Sequence, residues 1–331
     1  MEAVILAGGK GTRLRPLTDA LPKPLVPFMG EPYAAGLLRR LAAVGATRAT
    51  FLVGHEAGAW RPLEGLGAQV GIDVAVATEE VPLDTAGAAR RLLGRGAGGA
   101  VVVCNGDILT DLDLATLLDA HRGAGATATI ALTRVPDTST FGVVVCDAMG
   151  RVMRFVEKPT PGTVEADTVN AGTYVLEPDV FAAFPGDGPL SFERAVFPGL
   201  VGSGATVLGH PSDAHWADLG TPARYLAGHR AVLEGVCRWP DAPGMRRRDG
   251  VAVHRTARVD RAAKLAGGTV IGSGCEIEGG ARLRDAVLHE SVRIGAGATV
   301  ESAILGPRAR VAPGASVGPN VVLGEGAVVH A

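Results

Sequence analysis

Val4-Ile5-Leu6-Ala7-Gly8-Gly9-Lys10-Gly11-Thr12-Arg13-Leu14-Arg15-Pro16-Leu17-Thr18, continued by Pro22-Lys23-Pro24-Leu25-Val26-Pro27, is the stretch on which the reading of this chain turns. An apolar run of strand character ends in a glycine-rich turn. Gly8, Gly9 and Gly11 let backbone N–H groups approach a ligand closely, and oriented amides beside cations form a site for phosphate oxygens. Arg13, Arg15 and Lys23 supply the cations. A P-loop is excluded: Lys10 is followed by Gly11 rather than Ser or Thr, and Pro16, Pro22, Pro24 and Pro27 stand where a helix would have to run. The dinucleotide fingerprint fails too, because Leu14 stands where its third glycine belongs.

The 331 residues suffice for two domains, the larger with a full hydrophobic core. Lys and Arg number 32 against 34 Asp and Glu, a net charge of −2, which argues against a nucleic-acid partner. The first apolar run lacks a cationic leader and stops at Gly8, so it reads as a core strand rather than a signal peptide, and no run approaches a membrane span. Cys104, Cys146, Cys237 and Cys275 have no metal-ligand spacing and read as reduced thiols of a cytoplasmic protein. Lysine occurs only at Lys10, Lys23, Lys158 and Lys264. A compact ammonium differs from a guanidinium at a phosphate site, and three of these four lie in motifs.

Up to about Gly235 the chain alternates short apolar runs with helical spacing. Strands are expected at Ala3–Ala7, Ala49–Val53, Asp73–Ala77, Ala100–Cys104 and Ala128–Thr133, with helices at Tyr33–Val44, Thr85–Leu93 and Leu112–Arg122. This is the pattern of an α/β, Rossmann-like domain with a mostly parallel sheet, whose ligands bind at the carboxyl ends of the strands. From Phe141 to Val175 strand-like runs recur and read as an added sheet region over that domain, where a second substrate would sit. Pro240, Pro243 and Arg246-Arg247-Arg248 mark residues 236–250 as a linker between a catalytic domain (residues 1–235) and a third segment (251–331).

In that segment aliphatic residues recur at Val253, Val259, Leu265, Ile271, Ile277, Leu283, Leu288, Ile294, Val300, Leu305, Val311, Val317, Leu323 and Val329. The step is six, shortened to five from Leu283 to Leu288 and from Val300 to Leu305. A sustained hexad specifies a parallel β-helix with one inward aliphatic per face. The pattern resembles the left-handed hexapeptide β-helix, whose ordinary roles are capping and oligomerisation, so a homo-oligomer is expected. Acyl transfer is its sharper alternative, but His254, His289 and His330 stand in no recognisable motif.

Several charged positions fall at strand ends. Asp107 follows Asn105-Gly106; a carboxylate at a strand end suits Mg²⁺, but taken alone it reads as a turn aspartate capping the next helix. Asp218, before Leu219-Gly220-Thr221-Pro222, reads alone as a helix-entry signal. Glu157-Lys158-Pro159 is a charged turn containing one of the rare lysines. Glu79 and Glu80 precede Leu83-Asp84-Thr85-Ala86-Gly87; a carboxylate there accepts from guanine N1–H and N2–H₂, a slight lean to GTP, or is a solvated acid at a strand end.

The Gly8–Pro27 pattern as a whole resembles the signature of sugar-1-phosphate nucleotidyltransferases, and with the hexad tail it looks most like the mannose-1-phosphate guanylyltransferase branch. The resemblance implies a reaction between an NTP and a sugar-1-phosphate that releases pyrophosphate. It implies catalytic roles for Arg13 and Lys23, and nucleotide contacts from Leu6, Ala7, Gly8, Gly9, Gly11, Thr12, Arg13, Glu80, Asp84, Thr85, Asn105 and Gly106. Sugar-phosphate contacts would come from Gly142, Glu157, Lys158, Asn170, Gly172 and Thr173, and Asp107 with Asp218 would jointly hold Mg²⁺. One departure is Asp84, where the family carries glycine; it leaves room for an unusual sugar or a cyclitol phosphate. Glucose-1-phosphate thymidylyltransferase and a silent regulatory or scaffold subunit are the alternatives. The silent reading conflicts with the retention of Arg13, Lys23, Asp107, Lys158 and Asp218.

Overall fold

The computed structural model describes residues 1–54, 57–94, 98–160 and 162–331. The chain divides into two compact bodies: Met1–Gly9, Leu38–Gly106 and Leu112–Trp216 form the first, and Lys10–Leu37, Asp107–Asp111 and Ala217–Ala331 the second. Val4–Gly9 of the opening stretch thus belongs to one body and Lys10–Pro27 to the other. Among the described residues no helix is long and apolar enough to cross a membrane.

The first body is built on one nine-stranded sheet: β1 (Glu2–Leu6), β2 (Arg48–Val53), β3 (Asp73–Thr78), β4 (Val101–Asn105), β5 (Ala128–Arg134), β6 (Gly142–Cys146), β7 (Val152–Glu157), β8 (Thr168–Leu176) and β9 (Val207–Pro211). The order β7-β6-β8-β4-β1-β2-β3, with β5 on β8 and β9 on β5, mixes directions. β3, β2, β1 and β4 are parallel, as the apolar runs predict, whereas β8 is antiparallel to both β4 and β5. The strands after Phe141 therefore extend the central sheet instead of forming an added one. The reason is β8 itself: seven of its nine residues are buried, so it sits inside the sheet and pairs directly with β4.

The expected helices form at Tyr33–Ala43, Asp84–Leu93 and Leu114–Ala124. The last starts two residues later than the spacing suggests because the Asp113 carboxylate accepts the N–H groups of Ala115 and Thr116 as an N-cap. The core joins Val4, Leu52, Val101, Val103, Ile130, Tyr174, Phe192 and Phe197.

In the second body residues 251–331 coil into a parallel β-helix of three sheets. All fourteen hexad aliphatics belong to its core or pack against it. At both shortened steps the corner is turned by a residue with positive φ, Asp285 (49°) and Ser302 (45°). One face has a second aliphatic row. Beside the inward Ile271, Leu288 and Leu305, strand alternation points Val270, Val287 and Ile304 outward, and all three are buried. The corresponding outward positions on the other two sheets include Arg282, Arg293, Thr299 and Arg310. Within the span read as linker, Met245–Arg248 form a strand antiparallel to Val251–His254. Trp239 is buried there, stacked on Tyr33 at 5.0 Å and lying over Gly36, where a Cβ would come within 2.5 Å of its ring.

Candidate active site

In the second body the proline-rich loop is shaped by its own backbone. Gly11 adopts φ 60°, and its carbonyl accepts from Thr18 Oγ1 at 2.8 Å and Leu14 N at 2.9 Å. The resulting 3₁₀ turn, Thr12–Leu14, buries Leu14 and leaves the Arg13 side chain 66% exposed. A second turn, Lys23–Leu25, buries Pro24 and Leu25. Pro22 and Pro24 suit this turn because proline presets φ. Lys23, at its start, has a side chain only 10% exposed.

Lys23 Nζ donates to Asp107 Oδ2 at 2.7 Å and to Asp218 Oδ1 at 3.2 Å. The segments bearing the two carboxylates are tied by Leu219 N donating to the Asp107 carbonyl at 3.1 Å. Asp218 also accepts from Gly220 N at 2.7 Å and from Arg224 Nη1 at 3.0 Å, with Arg13 Nη2 at 3.7 Å. Burial alone would push the Asp218 carboxyl up. The Lys23 charge and hydrogen bond, the Gly220 N–H and Arg13 outweigh it and hold the group below the usual carboxylate range. Three cations thus converge on two carboxylates, so basic side chains outnumber acidic ones at this point of the loop.

Arg224 was not legible as a site residue. Its signal was nonetheless present: Thr221-Pro222 opens a helix, and a cation in a helix's first turn opposes the macrodipole unless an anion holds it there. The resemblance read from the sequence implies a divalent cation at Asp107 and Asp218. Among the described residues no group of three or more His, Cys, Asp or Glu is placed to bind a metal. A two-carboxylate set fits a hard ion that arrives with substrate phosphate oxygens and keeps waters, as Mg²⁺ does.

The first body holds two further groups. At the carboxyl end of β1, Gly106 N donates to the Leu6 carbonyl at 2.9 Å and Ala7 N to the Leu52 carbonyl at 2.9 Å, so Leu6 lies beside Asn105–Gly106 and Ala7 beside the end of β2. Gly8 and Gly9 are exposed, and a Cβ at Gly9 would meet nothing within 4 Å. Their backbone is open to a ligand.

Asn105 leads to the second group. Gly172 has φ 73° and lies against the Asn105 amide, 2.5 Å from where a Cβ would be, at a register irregularity of β8. Asn170 Oδ1 accepts from Gly172 N at 2.8 Å and its Nδ2 donates to the Tyr174 hydroxyl at 2.8 Å. Thr173 is buried and pairs in register with Cys104, whose thiol burial pushes up to about 12. Gly142 faces Glu157 across β6 and β7, with Glu157 Oε2 2.9 Å from a Cβ position. Lys158, at φ 47°, is 3.5 Å from Glu157 Oε1 and 59% exposed.

The Asp84 region is arranged differently from expectation. Asp84 holds a left-handed φ of 60°, the conformation glycine favours, with Thr85 N donating to its own Oδ1 at 2.8 Å. The Thr85 hydroxyl donates to Glu193 Oε2 at 2.7 Å and accepts from Phe192 N at 3.0 Å, so it is engaged within the fold. Glu193 lies in a π-helical turn, Phe192–Val196, and also accepts from Ser191 Oγ at 2.9 Å. Arg194 is 3.9 Å from Asp84 Oδ2. Glu79 accepts from Leu83 N at 3.0 Å and closes this loop, while Glu80 is exposed.

The first body presents strand-end glycines open to a ligand, and the second a cation-rich loop that gathers two carboxylates; each is a feature suited to handling phosphates. Comparison with known proteins agrees. Residues 2–235 match the family model described as nucleotidyl transferase, and residues 248–331 match that of the GMPPB C-terminal domain. The chain belongs to the nucleotidyl transferase family. It is 39% identical over 298 residues to mannose-1-phosphate guanylyltransferase of Mycobacterium tuberculosis, spanning 89% of this chain and 82% of that protein. It is 32% identical over 333 residues to UTP--glucose-1-phosphate uridylyltransferase of Synechocystis, spanning 89% and 84%. The crystal structure of HddC from Yersinia pseudotuberculosis complexed with GMP-PN superposes with a TM-score of 0.57 at 27% identity, covering 69% of this chain and 97% of that one.

Proposed function

We propose that this enzyme condenses GTP with a mannose-1-phosphate-like sugar-1-phosphate to give an NDP-sugar and pyrophosphate. The observation that carries the proposal is the convergence of Arg13, Lys23 and Arg224 on Asp107 and Asp218. The guanylyltransferase and GMP-PN relatives favour guanine, and the sugar is assigned by the same guanylyltransferase likeness.

In this mechanism an anionic oxygen of the sugar phosphate attacks the α-phosphorus in line. The bond between that phosphorus and the bridging oxygen to the β-phosphorus breaks, and its electron pair leaves with pyrophosphate. No general base is required, because the attacking oxygen already carries its charge. Catalysis is then positioning and charge neutralisation. Lys23 neutralises the transferred phosphoryl group, Arg13 the leaving pyrophosphate, and Lys158 the sugar phosphate, with Glu157 and Asn170 accepting from or donating to sugar hydroxyls. The amides of Gly8, Gly9 and Gly11 cradle the nucleotide phosphates. Asp107 and Asp218 would hold Mg²⁺, which supplies charge neutralisation of the triphosphate when bound.

Thermal-shift screening against GTP, dTTP, UTP, ATP and CTP with Mg²⁺ tests the base, since a bound ligand stabilises the folded state by mass action. GTP is expected to give the largest shift; a larger shift with UTP would move the assignment to the uridylyl relatives.

A further inference from the structure

Beyond Lys23 the chain turns through a short hairpin, Pro27–Phe28 paired with Glu31–Pro32. The helix Pro222–Leu233 holds this hairpin from one side. The Tyr225 hydroxyl donates to the Pro27 carbonyl, and Met29 N donates to His229 Nε2 at 3.2 Å. The Phe28 ring is fully buried between them, 4.3 Å from the His229 ring and 6.1 Å from that of Tyr225. Because His229 Nε2 accepts, its Nδ1 carries the proton and donates to the Tyr225 carbonyl at 2.9 Å.

The Tyr225 proton goes to Pro27, so its oxygen is left to accept. The group 3.1 Å from that oxygen is His289 Nε2, which therefore donates. His289 follows the strand Val287–Leu288 of the β-helix and is 3% exposed. Its backbone is locked in the coil: its N–H donates to the Leu305 carbonyl at 2.9 Å, and its own carbonyl lies 2.7 Å from a Cβ position on Gly272. Burial pushes His289 down to about 4 and His229 to about 3, so both rings are neutral in the working range. The β-helix also touches the same helix at Arg230 and the loop after Arg15. Asp285 accepts from Arg230 Nε at 3.1 Å and Gly268 N at 2.9 Å, and Gly324 lies 3.4 Å, at its Cβ position, from Pro16.

We propose that Tyr225 and His289 are positioning residues for Lys23, which makes the β-helix a working part of the catalytic loop and not only a stacking or assembly module. The catalytic consequence rests on the nucleotidyltransferase reading above. One helix adjoins both Asp218 and the turn that carries Lys23. Its N-cap, Thr221, lies three residues after Asp218, and its Tyr225 grips the carbonyl four residues after Lys23. Pro24, Leu25, Val26 and Phe28 are buried, so a shift at Pro27 is transmitted to the Lys23 turn instead of being absorbed. Lysine carries a flexible stem, and its 2.7 Å and 3.2 Å contacts depend on where that turn starts.

The test uses the full chain without substrate. Competitive acetylation with acetic anhydride, read by mass spectrometry, compares Lys23 with Lys264, an exposed lysine of the β-helix that serves as internal control. His289→Leu and Tyr225→Phe are expected to unfold cooperatively like the wild type while Lys23 labels severalfold faster relative to Lys264. His289→Gln, which keeps an N–H donor, is expected to restore slow labelling. With substrates, kcat of the first two variants falls by about 10-fold to 100-fold at unchanged KM, and His289→Gln recovers it. Unchanged Lys23 labelling in a folded His289→Leu or Tyr225→Phe protein overturns the proposal, as does equal labelling of the Leu and Gln variants. If His289→Leu does not fold, Tyr225→Phe decides. Failure of Tyr225→Phe to fold also overturns the proposal, because the hydroxyl is then holding the fold and not the loop. Labelling needs no turnover, so an inactive wild type would count against the proposed function and leave this result readable.

Discussion

Replacing Lys23 by methionine keeps an unbranched chain of similar length and removes the ammonium. That group sits 2.7 Å from Asp107 and 3.2 Å from Asp218 with its side chain 10% exposed. At an effective dielectric of about 20, one pair at 3.2 Å attracts with about 5 kcal/mol before desolvation. Much of this is offset by the cost of burying the ammonium, and the Asp107 pair is discounted further because that side chain is 39% exposed. Asp218 keeps Gly220 N and Arg224. The net loss of stability at neutral pH is then about 2 kcal/mol. Its pH dependence has a definite sign. In the wild type the Asp218 carboxyl is held below the usual range, so its contribution is present above the unfolded-chain pKa and lost as pH falls through the folded value. Without Lys23 the carboxyl rises, takes up a proton sooner and escapes its repulsion with Asp107. The gap between wild type and variant should therefore narrow between about pH 7 and about pH 4.5. Urea unfolding of both proteins at the two pH values measures it, and a gap that stays constant or widens on acidification refutes the reasoning.

Gly172→Ala combines a φ of 73° with a Cβ placed 2.5 Å from the Asn105 amide, and should cost about 1–3 kcal/mol in denaturant unfolding and weaken sugar-phosphate binding. Val287→Lys places a charge on the buried outer row of the β-helix and should prevent cooperative thermal unfolding of the full chain, whereas Thr299→Lys, on a different sheet and half-buried, should shift Tm little. Arg224→Met should lower kcat by about 10-fold to 100-fold in steady-state kinetics, since it removes a cation held on Asp218. Asp107→Asn should abolish pyrophosphate release while circular dichroism shows the fold intact.

The β-helix was legible to the residue because each face repeats one inward aliphatic, a signal that survives any sequence on the outside. Its buried outer row was legible in principle, as the doublets Val270-Ile271, Val287-Leu288 and Ile304-Leu305, but a hexad count looks only at the inward position. In the α/β body the parallel strands announced themselves as continuous apolar runs. The placement of β8 inside the sheet did not, since sequence gives strand character without pairing partners. Asp107 and Asp218 read singly as turn residues, and only the long signature brought them together; the Lys23 bridge is a tertiary fact. Glu193 and Arg224 were hidden inside helical spacing, where a charged residue ordinarily faces solvent. Thr85 was read for its hydroxyl, which the fold uses to join Glu193 and Phe192.

Pyrophosphate release by the purified full-length chain, assayed with Mg²⁺ over every pairing of GTP, dTTP, UTP, ATP and CTP with mannose-1-phosphate, glucose-1-phosphate and a cyclitol phosphate, tests the central claim most directly. Release that requires both substrates, is highest with GTP and mannose-1-phosphate, and disappears in Lys23→Met is the predicted result. Absence of release with every pair would contradict it.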